Sequence, residues 1–119
     1  MALRVVLIDD DDRFRATARR SLSADGVDVV AELADGENAV EAVAQWQPDV
    51  VLVDIALPGI DGLEVARRLQ ADGNRASVVL VSSRDAAYGR RVADGLAAGF
   101  VPKDELSLAA ILDVTGDGR

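Results

Sequence analysis

The chain has 119 residues, 50% apolar and 29% charged, with 21 acids against 13 bases for a net charge of −8. These values describe one soluble globular domain, exclude disorder, and argue against direct nucleic acid binding through this domain. With no cysteine and no histidine, disulfides, thiolate metal sites, serine-histidine triads and a phosphohistidine of the chain's own are excluded. No apolar stretch nears the ~20 residues of a membrane span, and acids come too early for a signal peptide, so a cytoplasmic protein with no membrane partner is expected.

Val5-Val6-Leu7-Ile8 runs into Asp9-Asp10 and reads as the first strand. A β-branched and leucine run this short suits a strand buried on both faces, as in a parallel sheet. Phe14, Ala18 and Leu22 follow at four-residue spacing, a helix capped by Asp11 or Asp12 and closed by Gly26. Val27, Val29 and Ala31 predict a second strand, and Ala39, Val40 and Val43 a helix that Pro48 ends. Val50-Val51-Leu52-Val53 is the third strand and runs into Asp54. Asp61-Gly62 opens a helix through Leu63, Ala66 and Leu69, ended near Gly73. Val78-Val79-Leu80-Val81 leads into Ser82-Ser83. Tyr88, Val92 and Leu96 mark a fourth helix, in which Gly89 and Gly95 each cost about 1 kcal/mol relative to alanine. Gly99-Phe100-Val101 is a short fifth strand, and Leu106, Ala109, Ala110 and Ile111 a brief last helix. The domain is expected at residues 1–114, with 115–119 as a tail or the start of a linker.

Strict strand–helix alternation implies an α/β fold: a parallel sheet with helices on both faces and right-handed crossovers. For five strands the common order is 2-1-3-4-5, the flavodoxin-like three-layer sandwich, with its switch point between strands one and three. Asp9, Asp10, Asp54 and Ser82 would then meet at the carboxyl edge of the sheet, with Lys103 after the fifth strand. Carboxylates held together repel unless a cation relieves them. Oxygen ligands alone select a hard ion, and Mg2+ suits a site that also handles phosphate. A carboxylate can also attack phosphorus and become an aspartyl phosphate. One aspartate at a strand end is usually a helix cap; acids at two strand ends beside a serine and a lysine weaken that plainer reading.

At these residues the chain resembles the receiver domain of bacterial two-component response regulators over nearly its whole length. The matching stretches are Leu7-Ile8-Asp9-Asp10-Asp11, Pro48 to Asp54 with Leu57-Pro58-Gly59-Ile60-Asp61-Gly62, Val81-Ser82-Ser83, and Gly99 to Asp104. The segments from Leu57 to Leu69 and from Phe100 to Leu106 look most like receivers of the NarL type. The resemblance implies a phosphoacceptor signalling domain rather than an enzyme, one that catalyses only its own phosphorylation and dephosphorylation. It assigns Asp54 as the phosphorylated side chain. Asp10 would bind Mg2+ directly and Asp9 mainly through water, with Asp54 and the Ala56 carbonyl completing the set. Ser82 would hydrogen-bond a phosphoryl oxygen and Lys103 would pair with its charge. Ser82 and Phe100 match the switch positions, although Phe100 read alone is a core residue. Implied partners are a sensor histidine kinase and, on phosphorylation, a second copy of the chain. Transcriptional output is expected where an effector domain follows.

Ser82 stands where threonine is commoner, and Asp104 follows Lys103 where many receivers have proline, so a cis peptide there is not expected. In receivers the side chains two beyond the phosphorylated aspartate and two beyond the serine or threonine tune hydrolysis; the resemblance puts Ala56, which cannot orient water, and Arg84, which could lie over the phosphoryl group, there and so implies a rather long-lived phosphoform. A haloacid-dehalogenase-like phosphohydrolase is the rival from another class. It usually needs an aspartate two residues after the nucleophile, and that position is Ala56. A degenerate receiver acting as a constitutive module would lack a site residue, and all five are present.

Overall fold

The structure, a computed structural model, describes residues 2–83 and 86–116. Five strands, β1 (Arg4–Ile8), β2 (Asp28–Leu33), β3 (Val50–Asp54), β4 (Ser77–Ser82) and β5 (Gly99–Pro102), form one parallel sheet in the order β2-β1-β3-β4-β5. Helices α1 (Asp12–Ala24), α2 (Ala39–Trp46), α3 (Gly62–Ala71), α4 (Ala86–Ala93) and α5 (Leu108–Thr115) alternate with them, and a 3-10 turn, Lys103–Glu105, follows β5.

The apolar runs form the middle of the sheet because both faces of it are covered. Val5 to Ile8 and Val50 to Val53 have no exposed surface, and each such side chain contributes ~1.5–3 kcal/mol relative to leaving it in water. Side chains alternate along a strand, so each run feeds two cores. Val6, Ile8, Val51, Val53, Leu80 and Phe100 pack with α2, α3 and α4, while Val5, Leu7, Val50, Leu52, Val79, Val81 and Val101 pack with α1 and α5. Asp54 continues the second set in the pleat, whereas Ser82 shares the parity of Leu80 and Phe100.

Two helix boundaries differ from the sequence pattern. The fourth helix ends at Ala93, and Leu96 lies in the turn beyond it, partly buried against the α2–α4 core. Gly95 adopts a φ of +75° in that turn, a left-handed conformation natural to glycine; it stops the helix rather than weakening it. The last helix starts at Leu108, capped by Ser107, whose hydroxyl accepts the Ala110 N–H; Leu106 closes the 3-10 turn instead. The capping expected of Asp11 or Asp12 falls to Asp11, which accepts from the Arg13 and Phe14 N–H groups. No cis peptide bond occurs among the described residues.

Candidate functional site

Parallel strands deliver every candidate side chain to the same edge. β1 leads into Asp9 and Asp10, β3 ends in Asp54, β4 ends in Ser82, and β5 leads into Lys103. Asp9 has no exposed surface, Asp54 and Ser82 are buried, and Asp10 faces solvent. One carboxylate oxygen from each of Asp9, Asp10 and Asp54 lies within 4.8 Å of the others. The five residues expected from the sequence to form one site are therefore neighbours at one sheet edge.

Backbone N–H groups fix one oxygen of each buried acid. The Asp11 N–H donates to Asp9 Oδ1 at 2.8 Å, and the Ala56 N–H donates to Asp54 Oδ1 at 3.1 Å. The second oxygens face Lys103, whose Nζ donates to Asp54 Oδ2 at 3.0 Å and lies 2.8 Å from Asp9 Oδ2. The Asp9 contact is the shorter of the two, an ion pair between the ammonium and a carboxylate with no exposed surface. Burial pushes the Asp9 carboxyl above its ordinary range; Lys103 and the Asp11 N–H oppose that, and the Asp54 charge adds to it. Burial acts downward on Lys103, but the hydrogen bonds and charges of Asp9 and Asp54 outweigh it and hold the ammonium above its usual value. Lys103 therefore stays charged, and two buried acids share one cation. Three carboxylate oxygens within 4.8 Å of one another, with no nitrogen or sulfur ligand among them, fit a hard divalent ion.

Three neighbours were invisible as site residues in the sequence. Phe14, on the first turn of α1, presents its ring to Lys103, with Nζ 4.5 Å from the centroid. Arg15 donates to the Asp9 carbonyl, pairs with Asp12, and reaches Glu32 on β2 at 3.4 Å, tying α1 to the end of β1. Gly89 backs Phe100 so closely that a Cβ there would lie 2.3 Å from Phe100 Cε1. Phe100 is turned inward, 5% exposed, within the α2–α4 core. Only pairing in space links Phe14 and Arg15 to the site and Gly89 to Phe100; the nearest sequence signal is that Phe14 follows the acidic run. Ala56 is exposed beside Asp54, and Arg84 lies outside the described residues.

Comparison with known proteins agrees with this geometry. The family model described as response regulator receiver domain matches residues 5–113. The chain belongs to the response regulator receiver domain family, a class of phosphorylation-dependent signalling domains. It is 41% identical over 107 residues to the response regulator MprA of Mycolicibacterium vanbaalenii, covering 87% of this chain and 45% of that protein. The MprA of Mycobacterium tuberculosis is 40% identical, with the same coverage. The chain thus spans less than half the length of these curated relatives. Among solved structures, the signal receiver domain of the response regulator NarL from Mycobacterium tuberculosis superposes with a TM-score of 0.86 at 36% identity, covering 99% of this chain and 98% of that one. A two-component response regulator of the LuxR family from Aurantimonas sp. gives 0.81 at 30% identity, covering 100% and 88%. The flavodoxin-like order expected from the sequence is the one these neighbours share. Among the described residues no helix is long and apolar enough to cross a membrane.

Proposed function

We propose that Asp54 accepts a phosphoryl group from a phosphohistidine of a sensor kinase, with Mg2+ held by Asp9, Asp10, Asp54 and the Ala56 carbonyl. The carrying observation is Lys103, whose ammonium bridges Asp9 Oδ2 at 2.8 Å and Asp54 Oδ2 at 3.0 Å beside a third carboxylate. An Asp54 oxygen attacks phosphorus, the P–N bond to the donor imidazole breaks, and the imidazole keeps the electron pair and takes a proton. The products are an aspartyl phosphate and a free histidine. When bound, Mg2+ neutralises the charge that gathers on the phosphoryl oxygens. Lys103 pairs with the same charge, and the Ser82 hydroxyl, buried at the end of β4, donates to a phosphoryl oxygen. Catalysis here consists of positioning and charge stabilisation, so the domain promotes only its own phosphorylation and dephosphorylation.

In this reading Ser82 and Phe100 report the phosphoryl group to the face made by α4, β5 and α5, and a second copy of the chain or an effector domain reads that face. The LuxR-family neighbour supports transcriptional output. We place the receiver at residues 1–114 with a tail or linker from 115 to 119, in a cytoplasmic protein. Ala56 favours a long-lived phosphoform. The test is intact-mass analysis after incubation with acetyl phosphate. A phosphate adduct should form with Mg2+, be lost in EDTA, and be absent from Asp54→Ala; an adduct that survives that substitution overturns the assignment.

A further inference from the structure

We infer that Phe14 is a positioning residue for Lys103, holding its ammonium between Asp9 and Asp54 against the face of the ring. The inference rests on the phosphoacceptor reading above. Lys103 Nζ lies 4.5 Å from the Phe14 centroid, well inside the ~6 Å over which a ring face attracts a cation. The same Nζ is 2.8 Å from Asp9 Oδ2 and 3.0 Å from Asp54 Oδ2, so ring and carboxylates contact one charge together. A lysine ammonium is a strongly hydrated point charge on a flexible stem. Here its side chain keeps only 17% exposure, and the ring face replaces part of the hydration lost.

The ring also differs from any polar substitute in what it leaves free. A lysine has three N–H donors, and a π face attracts the ammonium without accepting one in a directed bond. All three donors therefore remain for Asp9, Asp54 and an incoming phosphoryl oxygen. The ring is fixed by the loop that carries the acids. The Phe14 N–H donates to Asp11 Oδ1 at 3.2 Å, and the Asp11 N–H donates to Asp9. Phe14 packs from the first turn of α1 against the α1–α5 core, so the helix that follows the acidic run sets the position of the lysine that follows β5.

The test compares Phe14→Leu, which keeps an apolar filler without a π face, with Phe14→Tyr, which keeps the face. Phosphorylation by acetyl phosphate with Mg2+ should slow roughly threefold to tenfold in Phe14→Leu and recover in Phe14→Tyr. In parallel, proton NMR of the Lys103 ε-methylene should show an upfield ring-current shift in the wild type and in Phe14→Tyr that disappears in Phe14→Leu. A Leu variant at the wild-type rate, a Tyr variant as slow as the Leu variant, or a wild type without the ring-current shift overturns the role of Phe14. A wild type that shows the shift but takes no phosphate overturns the phosphoacceptor reading while the seat for Lys103 stands, so the two failures are distinct.

Discussion

Three aspartates of one chemical type sit within 4.8 Å of one another, yet their surroundings make them unequal. Asp10 is solvated, Asp54 shares a hydrogen bond with Lys103, and Asp9 is wholly buried with its Oδ2 against the same ammonium. The raised Asp9 pKa means that the folded chain holds that proton more tightly than the unfolded chain. Its contribution to stability is complete below the unfolded value of ~3.9 and fades as pH rises through the raised folded value. Lys103 has the same sign, but its raised value keeps its contribution intact until pH passes ~10.4. In EDTA, melting temperature should therefore fall as pH rises from ~4 through the Asp9 titration, and Asp9→Asn should flatten that slope. The same variant should melt ~4 °C higher at neutral pH, about 1 kcal/mol, while losing the rise that Mg2+ gives the wild type. Parallel melting curves for the two proteins would show that Asp9 burial carries no such cost. The acids, Ser82 and Lys103 were legible because each ends or follows an apolar run. Phe14 was not, because an aromatic at helical spacing reads only as core until the fold brings Lys103 over it.

At the scale of elements, α4 is where the sequence pattern and the fold part company. Tyr88, Val92 and Leu96 keep a four-residue spacing, but Leu96 reaches the core from a turn. An apolar residue one helical step on looks identical in sequence whether the helix continues or stops. Only the positive φ of Gly95 distinguishes the two. Gly89 is the reverse case: read as a defect of the helix, it is the notch in which the Phe100 ring sits. Alanine there would favour the helix by about 1 kcal/mol but drive a methyl into the ring, where overpacking costs ~1–3 kcal/mol. Gly89→Ala should melt below the wild type with Phe100 displaced outward, and adding Phe100→Leu should recover most of the loss; thermal melts of the three proteins check this. A Gly89→Ala protein as stable as the wild type, with an unshifted Phe100 ring spectrum, would show that the notch is slack. The central strands needed no such correction, since a short continuous β-branched run finds full burial as a strand covered on both faces.

The whole molecule carries a net charge of −8, and the two buried acids among the described residues, Asp9 and Asp54, lie at one sheet edge. Any salt eases diffuse repulsion between exposed charges farther apart than the ~10 Å screening length, whereas a site ligand stabilises by mass action. At matched ionic strength MgCl2 should therefore raise the melting temperature more than NaCl does, and Asp54→Ala should abolish the difference. Equal effects of the two salts would mean that the edge binds no specific ion. The pleat adds a constraint of direction. Asp54 belongs by parity to the side covered by α1 and α5, and Lys103 lies over Phe14 of α1, whereas Ser82 and Phe100 belong to the side covered by α2, α3 and α4. Under the phosphoacceptor reading, the phosphoryl group would be received on one side of the sheet and reported on the other, so a protein bound over α4 would not have to leave for Asp54 to be reached.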